Sequence, residues 1–277
     1  MTELPAPFEL APEDRAALEQ AVRRLENPGF AGRLAEQSGR PINRVLARLP
    51  RWANDRLDGL VRAAIMRGLA VAIESLEEEN PPPPATRFSS IVAGLTGGLG
   101  GFFGMVSLPI ELPLTTTLML RAIADIARHE GEDLTDIEAR LACLEVFGLG
   151  SGRNGSRVDL SYYTARALLG RYTNALSALV LESGVTAATA PVANSFVSEV
   201  ATRFGLVVSD KVAAGAVPVL GAIGAATINV VFMDHFQRIA QGHFTVRRLE
   251  RRYGPDRVRQ AYADLAGRLV LPIKRRR

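Results

Sequence analysis

Two long stretches without a single charged residue constrain this chain more than any other feature. Residues 88–110 (FSSIVAGLTGGLGGFFGMVSLPI) contain six glycines, and nine of the twenty-two residues in 212–233 (VAAGAVPVLGAIGAATINVVFM) are Gly or Ala. The chain around them carries 33 Lys/Arg and 29 Asp/Glu. Neutral runs of this length are a buried hairpin, a pair of helices in or on a bilayer, or the lining of an apolar ligand cavity. Both exceed the ~20 residues that cross a ~30 Å hydrocarbon layer. Their chemistry is poor for insertion, because only ten residues of 212–233 are strongly apolar and Pro218, Thr227 and Asn229 interrupt the run. Glycine inside a helix costs about 1 kcal/mol relative to alanine, so six of them require close packing in return. Gly97 and Gly101 are four apart, as are Gly100 and Gly104, and Ala222 and Ala226. Small residues at that interval let two helices approach closely in water or in lipid. Gly97, Gly101, Gly104, Gly221 and Gly224 are therefore the candidate helix-packing or lipid-contacting positions. The expectation is that the two runs pair at the centre of the molecule.

The rest of the chain reads as helix. Pro12, Glu13 and Asp14 open a helix to about residue 26, with acids at its positive end. From Pro41 to about residue 77, apolar residues recur at three- and four-residue spacing. Pro81 to Pro84 then form a stiff extended link, since four prolines cannot continue a helix. This link divides the chain into an N-terminal helical arm (1–80), the linker (81–84) and a helical body (85–277). Within the body, helices are expected at about 111–129, closed by Gly131, and at about 135–148. Others are expected at about 158–182, 186–208, 210–238, 241–253 and 255–270. No useful alternating pattern of a strand occurs, so the fold class is all-α, a multi-helix bundle.

Charge is unevenly placed. The formal net charge is +4, yet residues 244–277 hold eleven Lys/Arg against three acids, a net of +8. A basic end on an acidic body suits an anionic partner. Phospholipid headgroups are favoured over nucleic acid, for which no recognised motif accompanies the arginines. Arg247, Arg248, Arg251, Arg252, Arg275, Arg276 and Arg277 are the candidate headgroup contacts. Lys211 precedes the second neutral run, where it either reaches a membrane interface or pairs with an acid such as Asp210. The single cysteine, Cys143, excludes an internal disulfide framework. The first residues lack the basic and apolar regions of an export signal, so a cytoplasmic location is expected.

Candidate chemistry is sparse. Glu111 lies between Pro109 and Pro113 at the end of the first neutral run, and Arg121, Asp125 and His129 follow one helical turn apart on one face. These four residues are the candidate functional set, either as a cleft site or, for Glu111, as a helix N-terminal carboxylate. Paired Glu-x-x-His motifs of a carboxylate-bridged metal centre are absent. The three histidines, His129, His235 and His243, lack a ligand spacing. No G-x-S-x-G elbow or phosphate-loop ending occurs. No catalytic residue, metal or cofactor is assigned.

The block from Gly97 to Gly131, with Leu108-Pro-Ile-Glu-Leu-Pro and then Leu120-Arg-Ala-Ile-Ala, resembles the EcsC family. So does the second block, with Ser209-Asp-Lys211, Val217-Pro218, Gly221-Ala222, Asn229, Phe232, His243-Phe and Arg248-Leu. Glu111 stands where that family carries an acid, often aspartate. The resemblance spans about residues 41–255 and implies a bacterial helical protein associated with the membrane or with a transporter. It supplies no catalytic residues. The expected function is thus a non-enzymatic, lipid-contacting helical protein, peripheral at the inner face of the cell membrane, accessory to an integral membrane transporter. The alternative is a soluble enzyme with a bundle-cleft site around Glu111, Asp125 and His129.

Overall fold

The computed structural model describes residues 10–26, 30, 32–33, 51–74, 108–150, 162–184, 186–215 and 225–270. Among them lie eight helices and no strand: α1 (Pro12–Leu25), α2 (Arg51–Glu74), α3 (Leu108–His129), α4 (Ile137–Leu149), α5 (Tyr162–Ser183), α6 (Ala190–Gly215), α7 (Ala225–Tyr253) and α8 (Pro255–Val270). The molecule is an all-α multi-helix bundle. The linker 81–84, most of 88–110 and residues 216–224 lie outside the described residues, and with them the pairing of the two neutral runs.

α4 is the central helix. Every residue from Leu141 to Gly150 is buried, as expected of a helix that is apolar all round. α2, α3, α5, α6 and α7 pack around it. Phenylalanines from three of these helices meet at the middle. The Phe147 and Phe204 rings are 4.9 Å apart, Phe204 and Phe236 5.4 Å, and Phe232 and Phe236 5.3 Å. Such tilted and edge-on pairs contribute about 0.5–1.5 kcal/mol each beyond the area they bury. The N-terminal arm joins this core: Leu18, Ala21 and Val22 of α1 and Val61, Ile65 and Leu69 of α2 belong to the same apolar cluster. α1 lies mainly on α7, and α2 on α6 and α3.

Local chemistry explains most boundaries. Pro12 starts α1 where its missing N–H costs nothing, Glu13 and Asp14 sit in the first turn, and Arg23 and Arg24 in the last. α3 ends in a Schellman turn. Gly131 takes φ 80°, the Glu132 N–H donates to the Ala127 carbonyl at 2.9 Å, and the Gly131 N–H donates to that of Arg128 at 3.0 Å. The Asp136 carboxylate caps α4 by accepting from the Glu138 N–H at 3.1 Å.

Three expected boundaries move. α3 begins at Leu108 rather than Glu111, so Pro113 falls inside the helix and removes one backbone donor. α6 runs unbroken from Ala190 to Gly215, and α7 starts at Ala225; the expected break near residue 209 and the single helix 210–238 are not observed. Residues 212–215 therefore end one helix and 225–233 begin the next. α7 also continues through Gly242. A Cβ at Gly242 would meet Leu25 Cγ at 2.7 Å, so this glycine serves the close approach of α1 rather than a helix end.

Candidate functional site

Asp125 and His129 are both exposed on α3, and Asp125 pairs with Arg128 at 2.9 Å. Arg121 is half-buried on the same helix. Glu111 occupies the first turn of α3, and its side chain lies outside the described residues. Among the described residues these positions form a solvent-facing helix surface, not an enclosed cleft. Gly97, Gly101, Gly104, Gly221, Gly224, Arg275, Arg276 and Arg277 lie outside the described residues. Lys211 is buried, with its ammonium 4.8 Å from the Phe232 ring centroid, a cation–π distance. It sits within the bundle.

The arginines at the end of α7 have partners inside the chain. Arg247 Nε donates to Glu132 Oε1 at 2.9 Å and Nη2 to Glu132 Oε2 at 3.2 Å, a two-pronged pair, and Nη1 reaches Glu138 at 3.3 Å. Arg251 pairs with Glu132 and donates to the Glu130 carbonyl at 2.8 Å. Arg248 holds Glu130 at 2.8 Å and Asp14 at 3.4 Å. Arg252 holds the other Asp14 oxygen at 2.9 Å, and the Tyr253 hydroxyl donates to that oxygen at 2.7 Å. Burial alone would raise the Glu132 pKa, but the hydrogen bonds and charges of Arg247 and Arg251 outweigh it and hold the carboxyl below the ordinary range. Of the seven arginines expected to face headgroups, the four on α7 are thus tied to the α3–α4 turn and to α1.

A second polar cluster lies deeper, between α4, α5, α7 and α8. The Tyr162 hydroxyl and His243 Nδ1 are 2.9 Å apart, and both residues are buried. His243 Nε2 is buried without a hydrogen-bond partner. Burial, then the nearby Arg166 and Arg247, push the His243 pKa well down, so the ring is neutral. Arg166 makes a two-pronged pair with Glu250 at 2.8 and 2.7 Å, and the Tyr163 hydroxyl donates to the same carboxylate at 3.0 Å. The Tyr262 hydroxyl donates to Glu26 at 2.9 Å, which ties α8 to the end of α1. Glu145 sits on the fully buried face of α4, where burial raises its pKa although Thr173 donates to it. His235 completes the set: Nε2 lies 2.5 Å from the Gly150 carbonyl, and burial pushes its pKa down to about 4. Burial pushes the Cys143 thiol up to about 12, which removes it as a nucleophile. Among the described residues no group of acids, histidines and cysteine has the arrangement of a metal site.

Sequence reasoning passed over Glu130, Glu132, Asp14 and Glu145 as partners. One signal was available for the first two: residues 130–138 (EGEDLTDIE) contain five acids, the complement of the arginines at 247–252. Glu145 was visible as the lone acid in LACLEVFGLG. Tyr162, Tyr163 and Arg166 carry no comparable mark.

A family model described as the EcsC protein family matches residues 33–249. The chain belongs to the EcsC protein family. No curated protein and no solved structure matches it. The EcsC match runs from before α2 to Leu249 in the last turns of α7, so α1 and α8 lie outside it. The ionic cluster crosses that boundary: Glu130, Glu132, Glu138, Arg247 and Arg248 are inside the EcsC stretch, while Asp14, Arg251 and Arg252 are outside. Among the described residues, no helix is long and apolar enough to cross a membrane.

Proposed function

We propose that this EcsC protein is a non-enzymatic helical protein that rests against an anionic membrane face, on the cytoplasmic side, where it contacts lipid beside an integral membrane transporter. The observation that carries the reading is the net positive charge of the residues that follow α7. Residues 254–277 hold seven basic residues against Asp256 and Asp264, a net of +5. Arg257, Arg259 and Arg268 are exposed on α8, and Lys274, Arg275, Arg276 and Arg277 follow in the sequence. Each basic residue near an anionic leaflet contributes about 1 kcal/mol, so this group is large enough to hold a protein that makes little apolar insertion. The neutral, glycine-rich composition of 88–110 suits such a contact. The alternative cleft around Glu111, Asp125 and His129 draws no support from a surface ion pair between Asp125 and Arg128.

Flotation with vesicles tests the reading. The full chain should float with phosphatidylserine-containing vesicles at low salt, and should stay behind with pure phosphatidylcholine or at high salt. Changing Lys274, Arg275, Arg276 and Arg277 together to Gln should weaken the association at least tenfold. A full chain that remains soluble with anionic vesicles at low salt overturns the proposal.

A further inference from the structure

The ion pairs at the end of α7 have an inside and an outside. Asp14 is the inside: its side chain is only 6% exposed, and it accepts from Arg252 at 2.9 Å, Tyr253 at 2.7 Å and Arg248 at 3.4 Å. The guanidinium groups are the outside, with the Arg252 side chain 61% exposed and that of Arg248 37% exposed. A guanidinium carries five donors in a planar fork. Arg252 meets Asp14 through Nη1, with its guanidinium carbon 5.4 Å from the Tyr253 ring centroid, and Arg248 donates through Nε to Glu130 at 2.8 Å as well as through Nη1 to Asp14; each fork has further donors. An anion arriving from solvent meets arginine first and the carboxylate behind it.

We infer that Arg248 and Arg252 form a docking surface for anionic phospholipid headgroups whose resident occupant is Asp14 of α1, so that headgroup phosphate and Asp14 compete for the same two guanidinium groups. The inference rests on the membrane reading above and adds a gate to it. Phosphate suits this exchange because it takes two parallel N–H donors from one arginine, as a carboxylate does. The exposed basic residues of α8 lie on the helix that follows directly, beyond Gly254, so a membrane drawn to them is brought to Arg248 and Arg252.

The geometry also says how much of α1 responds. Leu18, Ala21, Val22 and Leu25 are buried on α7, and Leu25 fills the niche at Gly242. Those contacts do not involve charge and survive the exchange. In the first turn, Pro12–Ala16, Asp14 is the one buried side chain and those of Pro12, Glu13, Arg15 and Ala16 are exposed, with Leu10 packed on the core just before it. Headgroup binding therefore loosens one turn and leaves the helix seated. α1 lies outside the EcsC-matched stretch, so the gate is an addition to the shared helical core.

The same full chain, wild type and Asp14→Asn, tests this on phosphatidylserine-containing vesicles. Asp14→Asn removes the competing charge and should tighten vesicle binding about fivefold, the worth of one additional arginine contact. Arg252→Gln in the same background should cancel the gain. In the wild-type protein, which needs no variant to fold, vesicles should speed amide hydrogen exchange at Arg15 and Ala16, the first amides bonded within α1, and leave residues 20–25 unchanged. Equal affinity of wild type and Asp14→Asn, or unaltered exchange at Arg15 and Ala16 in the vesicle-bound wild type, overturns the gate while the membrane reading stands. No binding by either protein overturns both.

Discussion

α7 is two helices in one. Its longer, N-terminal part presents Ile228, Phe232, Phe236, Ile239, Ala240 and Phe244 to the core, mostly at the three- and four-residue spacing of an apolar stripe. Its last two turns instead present Arg247, Arg248, Arg251 and Arg252 to carboxylates more than a hundred positions away in the chain. The apolar half is stabilised by area removed from water, which needs no specific partner. The ionic half also buries Val246 and Leu249, but its charges are stabilising only where each arginine finds its acid, because a half-buried charge without a partner is costly. The same helix therefore tolerates different damage at its two ends.

The largest expected loss is in the apolar half. Phe236→Ala removes a fully buried ring of α7 from the centre and should cost about 3–5 kcal/mol, read from the urea unfolding midpoint. A loss below that of the ionic substitutions described next would reverse the contrast between the halves.

Acid should find the next weakness. His235 titrates near 4 in the folded protein and near 6.5 when unfolded, so the unfolded chain takes up protons first as pH falls. Its stabilising contribution is complete above about pH 6.5 and is lost progressively down to about pH 4, amounting to about 3 kcal/mol. His243, also shifted down, acts in the same direction. Glu132, held below the ordinary carboxylate range, adds a loss once pH falls through its folded value. Glu145 opposes them: its raised pKa favours the fold when protonated, and that contribution fades as pH rises through its folded value. Unfolding free energy measured against pH should fall steeply below pH 6.5, and His235→Gln should flatten that limb.

Smaller effects separate paired charges from surface ones. Glu132→Gln leaves Arg247 half-satisfied and should cost about 2 kcal/mol by urea unfolding. Arg128→Ala breaks only the exposed pair with Asp125 and should shift stability by under about 0.5 kcal/mol. A surface pair that matters as much as Glu132 would erase the distinction between the two kinds of charge.

The contrast also explains what the sequence made legible. Helix existence follows from periodicity, and the cap at Gly131 and the start at Pro255 follow from local backbone chemistry, so those elements are read correctly. The expected break between 238 and 241 is not observed, and Gly242 lies within α7 where Leu25 of α1 approaches closely, a contact that local rules do not show. The arginines at 247–252 were summed as free charge, since a charge count carries no information about which acids fold back on them. The acidic stretch at 130–138 was the missing half, and only the α3–α4 turn brings it to α7. Asp14 had no such signal, because it reads fully as a helix N-terminal acid, which it also is.

The most direct measurement is a double-mutant cycle between Glu132 and Arg247, using Glu132→Gln, Arg247→Met and the combination, by urea unfolding. If α7 ends in committed internal pairs, the two single losses should not add, and the coupling should be about 1–2 kcal/mol. Losses that add to within about 0.3–0.5 kcal/mol would mean that these arginines act as independent surface charges, and would contradict the account.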